Sequence, residues 1–184
     1  MSKTVAVLVG SLRRDSFAKK TAAAIASLAP ADMTLEIVPI GDLPFYNEDL
    51  ETDSPPPQWT EFRRKVKAAD ALLFVTPEYN RSMPGVLKNA LDVGSHPYGK
   101  AVFDGKPGAV VSISMGGIGG FGANHHLRQS LVCLNVLTLQ QPEAYIGNVK
   151  SLFDENGRIK APATEEYLHS FVRAFDRWIE KQRG

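Results

Sequence analysis

Short apolar runs alternate with amphipathic segments along this chain, and that alternation limits the fold more than any other feature. Thr4–Val9 (TVAVLV) is valine-rich, apolar and closed by Gly10, the pattern of a strand buried on both faces. Phe17, Thr21, Ala24, Ile25 and Leu28 then share one helical face, with Asp15 or Ser16 available as its cap. Leu35–Ile40 (LEIVPI) reads as a second strand, its proline favouring a sheet edge. Trp59, Phe62, Val66 and Ala69 mark the next helix, Ala71–Thr76 (ALLFVT) a third strand, and Val86, Leu87, Ala90 and Leu91 a third helix. Pro107–Ser114 (PGAVVSIS) is a fourth strand, Leu127, Leu131 and Leu134 a fourth helix, and Val136–Gln140 a fifth strand. The tail, with Tyr167, Leu168, Phe171, Val172, Phe175, Trp178 and Ile179, is strongly amphipathic.

Strands that alternate with helices imply a mainly parallel sheet covered on both faces. Right-handed crossovers leave few topologies for five strands, and the flavodoxin-like order 2-1-3-4-5, an α/β three-layer sandwich, is the first expectation. A chain of 184 residues is expected to form one domain, over 1–184. Its formal net charge of +1 gives no electrostatic basis for binding nucleic acid or a membrane surface. No apolar run approaches the roughly 20 residues of a membrane span, and the N-terminus enters a strand directly. With a single cysteine, Cys133, no internal disulfide is possible, and a cytoplasmic location is expected. Cys133 lies among Leu131, Val132 and Leu134 and is expected in the core.

In an open parallel sheet, ligands bind beyond the carboxyl ends of the strands where the strand order reverses. The loops there are Gly10–Phe17 (GSLRRDSF), Thr76–Pro84 (TPEYNRSMP) and Ser114–Gly122 (SMGGIGGFG). The first leads into a helix whose unpaired N–H groups favour an anion. Ser11 and Ser16 add hydroxyls and Arg13 a charged fork, which suits a terminal phosphate. The alternative is an ordinary turn with a capping serine and solvated arginines, and Asp15 counts against an anion. The second loop combines Pro77, the flat face of Tyr79 and the polar groups of Glu78, Asn80 and Ser82, a mix suited to a planar heteroaromatic ring. Equally, it is a rigid turn with a packed tyrosine. In the third loop Gly117, Gly119 and Gly122 satisfy G-x-G-x-x-G, with Glu143 about 20 residues on. A dinucleotide fingerprint belongs on a first strand, however, and this one follows the fourth, so a Rossmann oxidoreductase ranks second.

Other residues have competing readings. Gly41–Pro57 is either a lid or a surface excursion. Phe45 and Tyr46 either form a lip over a neighbouring subunit's site or anchor their own loop. His96 and Tyr98 either overhang the pocket or lie elsewhere on the Val93–Lys106 connection. His125-His126 lacks spaced partners for zinc and is expected near the start of the fourth helix or at an interface.

Taken together, "GSLRRDSF", "TPEYNRSMPGVLKNALD", "DLPFYNEDLE" and "GKPGAVVSIS" resemble segments of the NADPH-dependent FMN reductase family, which includes quinone and chromate reductases of flavodoxin-like fold. The resemblance runs through most of the chain and thins after Ala144. It implies that Ser11, Arg13, Ser16 and the Phe17 N–H bind the FMN phosphate. Pro77, Glu78, Tyr79 and Asn80 would support the isoalloxazine and ribityl chain, and Ser114, Gly116 and Gly117 would line the pyrimidine side. It further implies ping-pong, two-electron transfer from NADPH or NADH through FMN to a quinone or another small acceptor (free flavin, chromate, ferric chelates, azo dyes). The enzyme would be a dimer or tetramer with the flavin near a subunit interface. No essential catalytic side chain is implied, and no metal. Arg81, at a position that varies in the family, is a candidate for steering the nicotinamide phosphates or an anionic acceptor, against a solvated or interface arginine. Asp15 stands where small residues are common, and Val93-Gly94 where a tryptophan is frequent. A flavodoxin-type carrier and a non-catalytic FMN-binding module are the competing classes. The near-neutral charge favours an enzyme over an acidic carrier.

Overall fold

The computed structural model describes residues 2–183. Strands β1 (Lys3–Val9), β2 (Met33–Ile37), β3 (Ala71–Pro77), β4 (Pro107–Ile113), β5 (Leu137–Thr138) and β6 (Ala144–Ile146) form one parallel sheet. Its order is β2-β1-β3-β4-β5, the flavodoxin-like arrangement, with β2 at the edge, as expected from Pro39 just beyond it. Helices α1 (Phe17–Ser27), α2 (Pro57–Ala68), α3 (Gly85–Ser95), α4 (Phe121–Cys133), the short α5 (Val149–Leu152) and α6 (Pro162–Arg183) surround it.

The middle of each central strand is apolar on both faces because each face has its own core. Val5, Val7, Val9, Leu73, Val75, Val111 and Ile113 point to the side covered by α1 and α6, where Ile25, Phe171, Phe175 and Ile179 are buried. Their neighbours Ala6, Leu8, Leu72, Phe74 and Val110 point to the other side, against Trp59, Phe62, Leu87, Leu91, Leu127 and Leu131 of α2, α3 and α4. This is the two-residue period of a strand read on a doubly covered sheet.

The structure departs from the sequence expectations in four places. The fifth strand is split. β5 pairs with Pro107 and Gly108 at the start of β4, and β6 pairs with Val111 to Ile113 at its end. The chain leaves the sheet between them, so the expected Val136–Gln140 strand shrinks to two residues and a sixth strand appears. The second strand starts and ends earlier than Leu35–Ile40, since Pro39 has no N–H to extend the ladder beyond Val38, whose N–H reaches Val7 O at 3.0 Å. Cys133 is exposed rather than in the core. Leu127 and Leu131 set the inward face of α4, and two residues on, at 100° per residue, the side chain points outward. His96 and Tyr98 do not overhang the switch point. They border a separate cavity of about 460 Å³ between α3 and α4, with Lys88, Asp92, Ser130 and Cys133.

The long Gly41–Pro57 connection is tied down. Asn89 accepts from Tyr46 N–H at 2.8 Å and donates to Leu43 O and Pro44 O at 3.2 Å each. Trp59 Nε1 donates to Pro44 O at 3.0 Å, and Arg63 clamps Glu51 through two bonds of 2.9 and 2.6 Å. Tyr46 stacks between Trp59 and His96, with ring centroids 5.4 and 4.3 Å away. It anchors the loop, while Phe45 beside it is 79% exposed.

Candidate cofactor site

The three loops meet beyond the carboxyl ends of β1, β3 and β4. A cavity of about 240 Å³ is lined by Ser11, Arg13, Ser16 and Phe17 from the first, Pro77, Glu78 and Tyr79 from the second, and Ser114 from the third. Ala18, Ile113, Met115 and Val149 complete it. An adjoining depression shares Glu78 and Ser114 with the cavity and adds Asn80, Arg81, Gly116 and Ile118. Eleven of the twelve expected site residues therefore line these two adjoining depressions. Gly117 is exposed beside Gly116 and lines neither opening, its carbonyl so close to Gly147 that a Cβ there would lie 2.6 Å from it.

At the α1 end the geometry suits a phosphate. Ser16, not Asp15, is the N-cap, and its Oγ accepts from Lys19 N–H at 3.3 Å. That bond leaves the Ser16 hydroxyl proton to donate. The N–H groups of Phe17 and Ala18, in the first turn, have no partner within the helix and carry the positive end of its dipole. Ser11 and Ser16 are buried, whereas Asp15 is exposed and does not line the cavity, so its carboxylate does not oppose an anion there.

The second loop is a tight reversal. Tyr79 and Ser82 exchange N–H···O bonds of 2.9 and 3.0 Å across Asn80 and Arg81. Both central residues are left-handed, at φ 51° and 65°, which makes a type I′ turn. Asparagine tolerates that conformation; for Arg81 it costs about 1–2 kcal/mol. The Glu78 side chain is buried and engaged. Its Oε2 accepts from Ala123 N–H in the first turn of α4 at 3.2 Å, and its Oε1 from Arg81 Nη1 at 2.8 Å. Glu78 thus ties the second loop to the helix that follows the third. A Cβ at Gly122 would lie 2.8 Å from Arg81 O, so glycine permits that approach. Ser82 Oγ also meets His126 Nδ1 at 2.7 Å.

His125 faces elsewhere. It packs on Phe121, with centroids 4.2 Å apart, and bonds Tyr145 Oη at 2.8 Å, while Tyr145 donates to Glu143 at 2.7 Å. Burial and that carboxylate push the Tyr145 phenol up to about 12, so it stays protonated at neutral pH. Val93 and Gly94 are buried, with Gly94 against the Phe103 ring, and neither lines the cavity.

Among the residues missed by sequence reasoning, Val149 is the most informative. Its N–H donates to Ser114 O at 3.1 Å, directly after the sixth strand. The short "AYIGN" stretch, apolar and closed by glycine, was its only signal.

A helix start with free N–H groups, a rigid turn and a glycine loop around a partly apolar cleft give the switch point of a flavodoxin-like sheet the features of a site for a flat, phosphate-bearing ligand. A family model described as NADPH-dependent FMN reductase matches residues 3–151. A quinone reductase of Pseudomonas putida is 55% identical over 181 residues, covering 98% of this chain and 97% of that protein. A 2-hydroxy-1,4-benzoquinone reductase of Burkholderia sp is 48% identical over 183 residues, covering 100% of each. The structure of FerB, a flavoenzyme NAD(P)H:(acceptor) oxidoreductase from Paracoccus denitrificans, matches at a TM-score of 0.92 with 40% identity, covering 98% of each chain. This chain belongs to the NADPH-dependent FMN reductase family, an oxidoreductase family that uses FMN and NAD(P)H. Among the described residues, no helix is long and apolar enough to cross a membrane.

Proposed function

We propose that this protein is an NAD(P)H:quinone oxidoreductase that works through FMN held in the cleft between the Gly10–Phe17, Thr76–Pro84 and Ser114–Gly122 loops. The carrying observation is that eleven residues assigned from three separated stretches line two adjoining depressions that share Glu78 and Ser114. FMN bound there would supply two-electron transfer between a reduced nicotinamide and an acceptor. The chain supplies everything else. The Ser11 and Ser16 hydroxyls, the Phe17 N–H and Arg13 hold the phosphate as charge-assisted partners. Phe17, Ile113 and Val149 form an apolar wall that keeps water from the inner end. Tyr79, 47% exposed, and Ile118, 51% exposed, leave the outer side open to a second planar molecule. That access is what a shuttle between two small substrates requires.

Arg81 fits the steering role. Its side chain is 73% exposed and anchored at one nitrogen to Glu78, so the rest of the guanidinium faces the depression where a nicotinamide phosphate or an anionic quinone would arrive. The names of the relatives support a quinone acceptor, including a hydroxylated one. A homo-oligomer is part of this reading, supported by apolar surface at Phe45, Tyr98 and Val132, which are 79%, 99% and 73% exposed.

Steady-state kinetics with NADPH, NADH and a panel of benzoquinones test the function. Parallel double-reciprocal lines and a higher kcat/KM for quinones than for free flavin are expected. Turnover with free flavin alone would refute the quinone assignment. Arg81→Ala should raise KM for NADPH or for an anionic quinone severalfold with little change in FMN affinity; unchanged kinetics with both would remove the steering role.

A further inference from the structure

A set of buried polar groups lies beneath the glycine loop and takes no part in lining the cleft. Ser112 on β4 and Asn124 on α4 are both wholly buried. Arg128 Nε donates to Asn124 Oδ1 at 2.9 Å, and its Nη1 to Leu139 O at 3.0 Å. Asn124 Nδ2 donates to Ser112 Oγ at 3.1 Å, and Ser112 Oγ donates to Gly119 O at 2.8 Å. The bonds all run one way, from Arg128 through Asn124 and Ser112 to Gly119. Because Arg128 requires an acceptor, the Asn124 amide has one orientation, with its NH2 toward Ser112. Ser112 accepts that bond and donates its one proton at shortest range to the loop carbonyl Gly119 O, while Ala144 O is a longer contact, 3.4 Å, for both Ser112 Oγ and Asn124 Nδ2.

Such a chain is costly to bury unless every member is satisfied, and apolar side chains would fill the same space without that demand. What it adds is position. The loop it grips is pressed onto the sheet. Gly119 and Gly120 are left-handed, at φ 65° and 73°, and a Cβ on either would come within 2.7 Å of Tyr145 C or 2.9 Å of Ile113 O. Asn124 N–H also holds Gly120 O at 3.0 Å. Nearer the cleft, Gly116 O is turned inward to Asn148 N–H at 3.0 Å and Ser114 Oγ at 2.6 Å. In a planar trans peptide the Gly117 N–H then points the opposite way, out of the fold.

We propose that Asn124 and Ser112 are positioning residues for the cofactor: the Arg128–Asn124–Ser112 chain holds the Gly116–Gly120 segment so that its outward Gly117 N–H is preset for the negative charge of reduced FMN. The proposal rests on the FMN reading above. Donors fixed in advance act most strongly where charge develops, because they need no reorganisation. Loosening them weakens binding of the reduced cofactor more than of the oxidised one, and the midpoint potential falls.

The test compares wild type, Ser112→Ala, Asn124→Ala and the double variant. FMN affinity is read from flavin fluorescence, the midpoint potential of bound FMN by anaerobic dye titration, and apo stability by urea unfolding. Each single variant should bind oxidised FMN about 3–10-fold more weakly and reduced FMN more weakly still, with a more negative potential. The double variant should go no further than the worse single, since the bonds act in series. A purely structural role would lower stability and leave the potential in place; that result overturns the proposal. If Asn124→Ala fails to fold, Arg128→Met removes the outermost donor and should move the potential the same way by less, while an unchanged potential overturns the proposal equally. A wild-type chain that binds no FMN overturns the flavin reading and this proposal with it. Wild type that binds FMN, with variants of unchanged potential, overturns this proposal alone.

Discussion

Asn89→Ala removes three hydrogen bonds at once from the motif stretch "LKNALD". Asn89 is 6% exposed, and its amide bonds Leu43 O, Pro44 O and Tyr46 N–H near the start of the Gly41–Pro57 connection, where Pro44 O keeps a second donor in Trp59 Nε1. An ordinary bond contributes about 1 kcal/mol net, and an orphaned buried group costs more. The Leu43 carbonyl is buried and would stay unpaired; the half-buried Tyr46 N–H would find water. The two effects offset, and about 3 kcal/mol of lost stability is expected. For a chain of this size that is about 6–12 °C in Tm. The assay is urea unfolding of the apo protein, because bound FMN would add its own stabilisation. The midpoint should fall with the slope unchanged. No atom of Asn89 lines the cleft, so FMN affinity should change by less than about twofold. Asn89→Asp keeps the acceptor for Tyr46 but turns carboxylate oxygens on two carbonyls, and should cost at least as much. A variant within about 1 kcal/mol of wild type whose FMN affinity falls tenfold would refute the reasoning and place Asn89 in the site.

Ser16→Ala should lose about 1 kcal/mol of stability with the cap and bind FMN on the order of tenfold more weakly, while riboflavin, which has no phosphate, binds as before; equal losses for both flavins in titration would contradict the phosphate assignment. Asp15→Asn should leave FMN affinity within about twofold. Burial of Asp70 pushes its carboxyl up, but the Thr4 N–H and the Arg183 guanidinium, each at 2.7 Å, outweigh burial and hold it below the usual aspartate range. Its contribution is therefore complete above the unfolded value, about 4, and is lost as pH falls through the lowered folded value. Asp70→Asn should flatten that acid-side loss in unfolding experiments across pH 2–5, and an unchanged slope would contradict it.

Much of this architecture was legible because the sheet is buried on both faces. β1, β3 and β4 carry unbroken apolar runs closed by glycine, proline or serine, and the helices between them show a single apolar stripe. The edge was harder. β5 and β6 have two and three residues, too few for periodicity to register, and their pairing is set by β4 rather than by their own composition. Cys133 misled because apolar neighbours in sequence are not neighbours on a helix; only the spacing of Leu127 and Leu131 separates inside from outside. At the site, residue types in three loops pointed to the cleft, yet Glu78 turned out to be a bridge to α4 and Asn89 an anchor for a remote loop. Both are long-range partnerships, across 45 and 43 positions respectively, and local sequence carries no trace of them. Val149 entered the cleft for the same reason.

The central claim is that the three loops hold FMN and that reduced nicotinamides reach it directly. The visible absorbance of the purified, FMN-reconstituted protein, recorded anaerobically before and after NADPH, tests it most directly. The account predicts a stoichiometric flavin spectrum that bleaches on addition of NADPH and returns when a quinone is supplied. A protein that retains no flavin after reconstitution, or holds flavin that NADPH and NADH leave oxidised, would contradict it.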